Sequence, residues 1–383
     1  MRMLPASLAL IFAAPAAAQN APPPEEGEEV IVVGQSLEST RKALEDCLKR
    51  KCPPAEDVAA SVAHAENAFV AGEYKEARGT LTSSLGRNRR HAKTLPVEVS
   101  GLERANGRVA AHLGERNAYQ YSTWGVRRAL KAGLPDDDMR LVAADVEIGD
   151  MLLSTGRTEL ARQTYAKAAR NAARLGNNDL AARARVRAAW LENEAGNEAE
   201  SRKLLRQIAA DKDPQVRTAR LSALILLARM DRADNKPGTA DTLVREVAAL
   251  GLKQPVLLWA PPINDLKSSP VNNEGESGNV LRLTATDDFE DRWIDVGFWV
   301  ESDGNVREAE VIRSSGDMGW AKPLMASIAG RRYSSGGDPA YRVERYSYTS
   351  FWEARTGTRL RQRSANARIE FVDLTADPEA ADK

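Results

Sequence analysis

The stretch Gly72-Glu73-Tyr74-Lys75-Glu76-Ala77 begins with a glycine, and a glycine or asparagine recurs after it along the chain at nearly constant intervals. Glycine and asparagine tolerate the positive φ angle at which many α-helices end. Each counterpart lies between two segments rich in Ala, Leu, Arg and Glu, which favour helix. The spacing therefore predicts a series of helical hairpins. The turn positions are 42, 42, 40 and 39 residues apart: Gly72, Gly114, Gly156, Gly196 and Asn235.

Small residues flank these turn positions at fixed offsets. Two antiparallel helices approach closely only where the facing positions are small, so the pattern supports stacked hairpins. An irregular alanine-rich bundle, in which small residues recur by chance, is the alternative. The residues seven before each turn position are Ala65, Gly107, Gly149, Ala189 and Ala228, and those five after it are Ala77, Tyr119, Ala161, Ser201 and Ala240.

The repeated segment resembles the tetratricopeptide repeat family. Gly72–Ala77 and Gly156–Ala161 are most similar to the turn between the two helices of that repeat. The standard period is ~34 residues, so these units have longer helices or loops. Tyr119 also departs from the pattern at a small position, and Glu192 departs at an apolar one. The resemblance implies a superhelix whose concave face binds peptides or proteins.

Composition and charge set broad limits on the kind of protein. The chain has 383 residues, of which 43% are hydrophobic and 28% charged, as in soluble globular proteins. This length predicts two domains and a tail. Lys and Arg number 54, and so do Asp and Glu. A net charge of zero argues against a general nucleic-acid binder, which needs surplus cations to displace counterions from phosphates.

The first eighteen residues have the pattern of a secretory signal peptide. Arg2 precedes the mostly apolar run Leu4–Phe12, and Ala16–Ala18 provide the small residues for cleavage before Gln19. The apolar run is short for a membrane-spanning helix, which needs about 20 residues. We therefore expect a periplasmic protein, exported and cleaved. An uncleaved segment that anchors the chain in the inner membrane, facing the periplasm, is the alternative.

Cys47 and Cys52 are five residues apart. In a continuous helix that spacing separates the Cα atoms by more than the roughly 7 Å that a disulfide allows. Pro53-Pro54 ends a helix near Lys51, however, and a frayed last turn brings the sulfurs together. We expect a structural disulfide, with free thiols as the alternative. No metal site is predicted, because the three histidines are scattered: His64, His91 and His112.

The chain changes character after Asn279. Ile294, Val296, Phe298 and Val300 alternate with less apolar residues, which predicts a strand with one buried face. Residues 302–305 (Ser-Asp-Gly-Asn) predict a hairpin turn into a second strand, 306–312. A helix is predicted over 320–330 from apolar spacings of four. Further predicted strands cover 341–352, 280–286 and 367–372.

This order of elements resembles the C-terminal domain of the TonB energy-transducer family over about 75 residues. The residues that carry the resemblance are Val296–Val306, Val311–Gly316 and Ile328–Tyr333. Two positions depart from the family pattern: Arg331 stands where a tryptophan is usual, and Ser335 where a proline is usual. The resemblance implies that the third strand is an exposed sheet edge to which a receptor's "TonB box" adds as a further strand.

Carried over to this chain, the peptide-binding edge strand comprises Arg342, Val343, Arg345, Tyr346, Tyr348 and Phe351. Arginines along an edge suit an acidic extended ligand. The alternative is that they are solubilising residues that keep the edge from aggregating. Residues 367–372 are a candidate to occupy the same edge.

A valine-rich run near the start, Val30, Ile31, Val32 and Val33, resembles a TonB box itself. It follows two glutamates in the acidic, proline-rich segment 19–36. One hypothesis is that this run docks on the strand at 341–352, and a linker with a chance run of valines is the alternative.

The sequence predicts no catalytic residue and no cofactor, since it has no nucleophile elbow, phosphate loop or paired metal-spaced histidines. We expect a non-enzymatic envelope adaptor that is associated with TonB-dependent transport and binds an extended peptide by β-strand addition. Its expected partners are proteins or peptides, among them TonB-dependent receptors, and a homodimer is also considered. The alternatives are a membrane-anchored energy transducer and, with less support, an envelope hydrolase.

The predicted fold class is a multidomain α and α+β protein: a helical solenoid followed by a small domain with an antiparallel sheet. The predicted segments are a signal peptide (1–18), a linker (19–36), helical repeats (37–253), a connector (254–278), a TonB C-terminal-like domain (279–374) and a tail (375–383).

Overall fold

The structure of the chain, a computed structural model, describes residues 35–236, 242, 244–247, 255–263, 289, 292–334, 338–354, 361–364 and 366–375. The predicted signal peptide, the run Val30–Val33 and the predicted strand 280–286 lie outside these residues. Within them, no helix combines the length and the apolar character needed to cross a lipid bilayer.

Helices joined by short turns make up the N-terminal part, and neighbours along the chain pack against each other. Most of the buried side chains in this part are alanine, leucine and valine, which fit the narrow space between helices. The helices are α1 (Leu37–Lys49), α2 (Pro54–Ala71), α3 (Tyr74–Asn88), α4 (Pro96–His112), α5 (Arg116–Gly133), α6 (Met139–Ser154), α7 (Thr158–Arg174), α8 (Asn178–Glu194), α9 (Glu198–Ala209) and α10 (Arg217–Ala233).

All five predicted turn positions have a positive φ, from 57° at Asn235 to 90° at Gly72. The amide that follows each of them donates a 2.8 Å hydrogen bond to the carbonyl five residues earlier, as Glu73 does to Ala68. This bond caps the last turn of a helix and reverses the chain. The predicted helical hairpins at the four glycine turns are therefore confirmed, and Gly176 (φ 78°) makes a further turn of the same kind between α7 and α8. Ala240, the predicted small position after Asn235, lies outside the described residues.

The two departures from the repeat pattern have local explanations. Tyr119 is partly buried and packs against the apolar cluster around Ile148. Glu192 accepts a 2.6 Å hydrogen bond from Arg162 and a 2.8 Å bond from Asn197. Both residues therefore interact with side chains of the array rather than breaking it.

The predicted disulfide is present between Cys47 and Cys52, whose Cα atoms are 5.1 Å apart. Helix α1 ends at Lys49, and Lys51 has a φ of 53° that turns the chain back. The helix therefore ends before the spacing separates the two cysteines. Together with Pro53, the bond fixes the passage from α1 into α2.

The C-terminal part contains an antiparallel sheet in the order β3-β2-β5-β8 and two small strand pairs, β1 with β4 and β6 with β7. Its elements are β1 (Leu257–Trp259), β2 (Trp293–Val300), β3 (Val306–Ser315), α11 (Ala321–Ala329), β4 (Arg332–Tyr333), β5 (Ala340–Thr349), β6 (Trp352–Ala354), β7 (Arg361–Arg363) and β8 (Arg368–Asp373). The predicted hairpin, helix and last strand are confirmed. Strand β1 lies in the predicted connector 254–278 and was not predicted.

Both faces of strand β2 are covered. Ile294, Val296 and Phe298 of β2 pack with Leu324 and Ile328 of α11, as the alternation predicted. The opposite face was expected to be exposed. It is buried because it lies against the helical array, and Trp293 belongs to the same apolar cluster as residues of α2, α3 and α4.

The prediction that the third strand is a free edge is wrong. Strand β5 pairs with β2 on one side and with β8, the chain's own C-terminal strand, on the other. Beyond the end of β8, Leu374 donates a hydrogen bond to the carbonyl of Val343. The predicted binding residues are accordingly engaged within the molecule: Arg342, Val343, Arg345, Tyr346, Tyr348 and Phe351.

Three of the predicted binding residues show why this strand cannot face a ligand. Arg345 is fully buried, and Tyr346 and Phe351 are 3% and 6% exposed. The hydroxyl of Tyr346 accepts a 2.6 Å bond from Arg331, the residue that replaces the family's usual tryptophan. Arg331 also donates a 2.6 Å bond to buried Glu344. The polar groups of this strand thus hold the domain together rather than face a ligand.

Candidate binding groove at the domain junction

Arg345 joins the sheet to the first helical hairpin. Its guanidinium donates hydrogen bonds of 2.6 and 2.8 Å to the carbonyls of Phe69 and Val70, in the last turn of α2. It also donates a 2.9 Å bond to Asp295, and its carbon lies 3.9 Å from the centre of the Trp293 ring. The negative end of the helix dipole and the buried carboxylate together compensate the buried positive charge.

Two of the repeat turns are the surfaces on which the sheet rests. A Cβ atom on Gly72 would overlap the ring of Trp293, and one on Gly114 would overlap the carbonyl oxygen of Ser350. The amide of Trp352 donates a 2.9 Å bond to the carbonyl of Gly114. Glycine is therefore required there for close approach as well as for the positive φ.

Ser347 of β5 connects two aromatic side chains of the array. Its hydroxyl lies 2.8 Å from the hydroxyl of Tyr74 and 2.9 Å from Nδ1 of His112. Burial lowers the pKa of His112 to about 3, and the positive charges of Arg108 and Arg345 act in the same direction. The imidazole is therefore neutral at pH 7 and acts as a polar packing residue.

This burial predicts a loss of stability in mild acid. A histidine with an ordinary pKa of about 6.5 takes up a proton in the unfolded state, but the folded state cannot follow until the pH approaches 3. The contribution of the neutral imidazole to the free energy of unfolding is thus fully present above about pH 6.5. It decreases as the pH falls from there towards 3, and about 2 kcal/mol of it is lost at pH 5. Urea unfolding at pH 7.5 and 5 measures it. In His112→Asn the decrease is expected to be smaller by that amount, and an equal decrease in both proteins would contradict the assignment.

A groove lies beside these contacts and is formed by both parts of the chain. It consists of two cavities of about 580 and about 670 Å³ that share Arg78, Glu115 and Trp352. Helix α3, the turn before α5 and the strands β5, β6 and β7 provide its walls. We call it the junction groove. Neither part of the chain forms it alone, because Arg78 belongs to the array and Trp352 to the C-terminal part.

The described lining of the junction groove is mostly positively charged. Six cationic and two carboxylate side chains line it among the described residues, a difference of four in a chain whose net charge is zero. Both carboxylates have arginine partners: Arg78 donates to Glu115 at 2.8 Å, and Arg116 lies 3.3 Å from Glu353. The cations are Lys75, Arg78, Arg116, Arg292, Arg361 and Arg363.

Aromatic rings form the apolar surface of the groove. Phe289 is stacked on Tyr348 with ring centres 5.1 Å apart, and Trp352 lies under the guanidinium of Arg363 at 4.4 Å. Gly79 of α3 also lines the groove, and a Cβ atom there would meet nothing within 4 Å. Such a surface suits a ligand that has both negative charge and apolar groups.

Sequence reasoning missed most of this site. Of the predicted edge residues, Tyr348 lines the groove, and Arg345 lies behind it at the junction. Lys75 and Arg78 belong to the first hairpin turn region, and nothing local distinguishes them from ordinary surface cations. Gly79 is no distinct signal either, because Gly86 and Gly101 also lie inside helices away from the groove. In the described part, no three potential metal-ligating side chains cluster together.

Comparison with known proteins identifies no family. No family model matches the sequence, and no curated protein matches it. Similar solved structures include the TPR-like repeats of a putative kinesin light chain from Podosopora anserina, with 16% identity and a TM-score of 0.42 over 52% of this chain and 96% of that one. BtubC from P. vanneervenii has 14% identity and a TM-score of 0.45 over 57% of this chain and 92% of that one.

A Rap protein complexed with competence and sporulation factor has 12% identity and a TM-score of 0.41, over 54% of this chain and 57% of that one. With TM-scores below 0.5, none of these structures assigns a function to this chain. The case for a binding site therefore depends on the geometry and charge of the junction groove.

Proposed function

We propose that this chain is a non-enzymatic, protein-binding adaptor that holds an extended acidic segment of a partner protein in the junction groove. The observation that carries the proposal is the excess of cations among the described residues that line a groove built by two domains of a neutral chain. Complementary charge directs association and selects among partners. The aromatic walls add contact area that is largely independent of charge.

The proposal replaces the mode of binding that the sequence suggested. Addition of a strand to β5 requires a free backbone edge, and β8 already occupies that edge. The order β2, β3, α11, β5 supports a TonB-like arrangement, so a role in TonB-dependent transport remains part of the proposal in restricted form. In that form, a receptor segment binds in the junction groove or displaces β8. A second copy of the chain is a further candidate partner.

Export to the periplasm is part of the same proposal. The pattern at Arg2–Ala18 and the disulfide between Cys47 and Cys52 support it, since structural disulfides persist in oxidising compartments. The N-terminal sequence of the purified protein tests it. A start at Gln19 agrees with a periplasmic adaptor, whereas an intact Met1 in the membrane fraction would favour an anchored energy transducer.

Binding of an acidic peptide tests the function. We expect a fluorescein-labelled peptide of alternating glutamate and serine to bind the full chain and raise its anisotropy, with an affinity that falls as salt increases. A lysine-serine peptide of the same length is the control and is expected not to bind. Tighter binding of a single-stranded oligonucleotide of equal charge would contradict the proposal, because it would indicate a different class of partner.

The location of the site is tested by filling the groove. Gly79→Leu is expected to weaken binding of the glutamate-serine peptide at least about tenfold, because the new side chain enters the open space above α3. Gly79→Ala is the matched control: it should leave binding nearly unchanged and stabilise the protein by up to about 1 kcal/mol. Unchanged affinity in Gly79→Leu would place the peptide elsewhere.

A charge variant complements the steric one. Arg361 is exposed on β7 and lines the groove, so Arg361→Glu is expected to weaken the same peptide about fivefold to tenfold. Arg307→Glu is the control, because Arg307 is also an exposed arginine and lies on β3, at the far edge of the sheet from β8. Equal losses in both variants would indicate a general effect of net charge rather than a site.

A further inference from the structure

Phe289 is an aromatic side chain of the chain itself that already lies in the junction groove. It is 4% exposed, although it stands outside every helix and strand of the described residues. Its ring stacks on Tyr348 at 5.1 Å with an angle of 28° between the planes, and Tyr348 in turn stacks on Trp320 at 5.2 Å. The groove therefore has an aromatic subsite, formed by Tyr348 and occupied by Phe289.

The sequence around Phe289 is acidic, opposite in charge to the described cationic lining of the groove. Residues 287–291 are Asp-Asp-Phe-Glu-Asp, with a carboxylate at each of the four positions flanking the ring. The lining next to the subsite carries Lys75, Arg78 and Arg363. An aromatic residue between carboxylates is the chemistry that such a lining selects, since the ring fills the apolar subsite and the carboxylates meet the cations.

We infer that Phe289 stands in for an aromatic side chain of the partner, so that the partner's segment is an aromatic residue flanked by carboxylates, like residues 287–291. This inference rests on the proposed function, because it names the ligand class of the same groove. Truncation of a buried aromatic anchor typically weakens a complex about tenfold or more. When Phe289 occupies the subsite, the aromatic side chain of a partner can enter only in the remaining molecules. The apparent affinity for the partner is reduced in proportion to the fraction of molecules whose subsite is empty.

The test compares two peptides with two proteins. The probes are fluorescein-labelled Gly-Ser-Asp-Asp-Phe-Glu-Asp-Ser-Gly and the same peptide with alanine in place of phenylalanine. In the wild type the two peptides are expected to bind with similar affinity, because Phe289 fills the subsite. In Phe289→Ala the phenylalanine peptide is expected to bind about tenfold more tightly than to the wild type, while the alanine peptide is unchanged.

The controls separate the inference from the function that it rests on. Phe289→Leu keeps the subsite partly filled, so the phenylalanine peptide is expected to gain less affinity in it than in Phe289→Ala. If Phe289→Ala does not fold, Phe289→Val leaves a smaller opening and should give the same order of affinities with a smaller ratio. An equal change for both peptides, or no gain for the phenylalanine peptide, would overturn the inference while binding of the glutamate-serine peptide still supports the adaptor. If no acidic peptide binds any of these proteins, both proposals fail.

Discussion

Arg345→Met is expected to lower the free energy of unfolding by about 3 kcal/mol. Methionine retains much of the packing volume but donates no hydrogen bond. The variant leaves the carbonyls of Phe69 and Val70 without the donor that Arg345 provides, and it removes a bond to fully buried Asp295. Asp295 keeps a 2.8 Å bond from Arg313, so the loss is less than that of an isolated buried charge.

Urea unfolding followed by circular dichroism measures this loss. Arg313→Met is the control, since Arg313 also contacts Asp295 but is half exposed. Its expected cost is about 1 kcal/mol or less. Equal costs for the two variants would mean that Arg345 does not join the two parts of the chain.

Gly114→Ala is expected to destabilise the protein by about 3 kcal/mol or more, against about 1–2 kcal/mol for Gly156→Ala. Both glycines have a positive φ, 71° and 80°, so alanine is strained at either position. A Cβ atom on Gly156 meets nothing within 4 Å, whereas one on Gly114 overlaps the backbone at Ser350. The difference between the two variants therefore isolates the cost of separating the sheet from the turn.

Thermal or urea unfolding of the two variants, compared with the wild type, gives that difference directly. Gly114→Ala should also weaken peptide binding, because the turn at Gly114 carries the groove residues Glu115 and Arg116. Gly156→Ala should bind as the wild type does. Equal destabilisation by both substitutions would show that the turn at Gly114 carries no additional contact.

The hairpin array was predictable because its signals are local. A residue that tolerates positive φ ends each helix, and small residues lie at fixed distances from it, as at Ala65 and Ala77 around Gly72. The hairpin from β2 to β3 was predictable for the same reason, from Asp303 and Gly304. Such features depend on neighbours within a few residues, which the sequence displays directly.

The junction was not predictable from local pattern. Arg345 bonds to a carbonyl 276 residues earlier, and no periodicity links the two positions. The burial of Arg345 can be predicted only if it is already known that β8 covers one edge of the sheet and that the array covers one face. Asp295 was the available clue, because a carboxylate within an apolar strand requires a cationic partner. The junction groove was not predictable for the same reason, since its walls come from helices and strands that are distant in the chain.

The long separation in sequence between Arg345 and Phe69 also has a consequence for folding. Each helical hairpin is completed by residues close in sequence and can form as soon as it is synthesised. The contact of Arg345 with Phe69 must wait until nearly the whole chain is present, and closing so long a loop costs entropy that only the finished interface repays. We therefore expect the first hairpin to pass through a stage in which the apolar surface around Phe69 is uncovered, when a chaperone would protect it from aggregation.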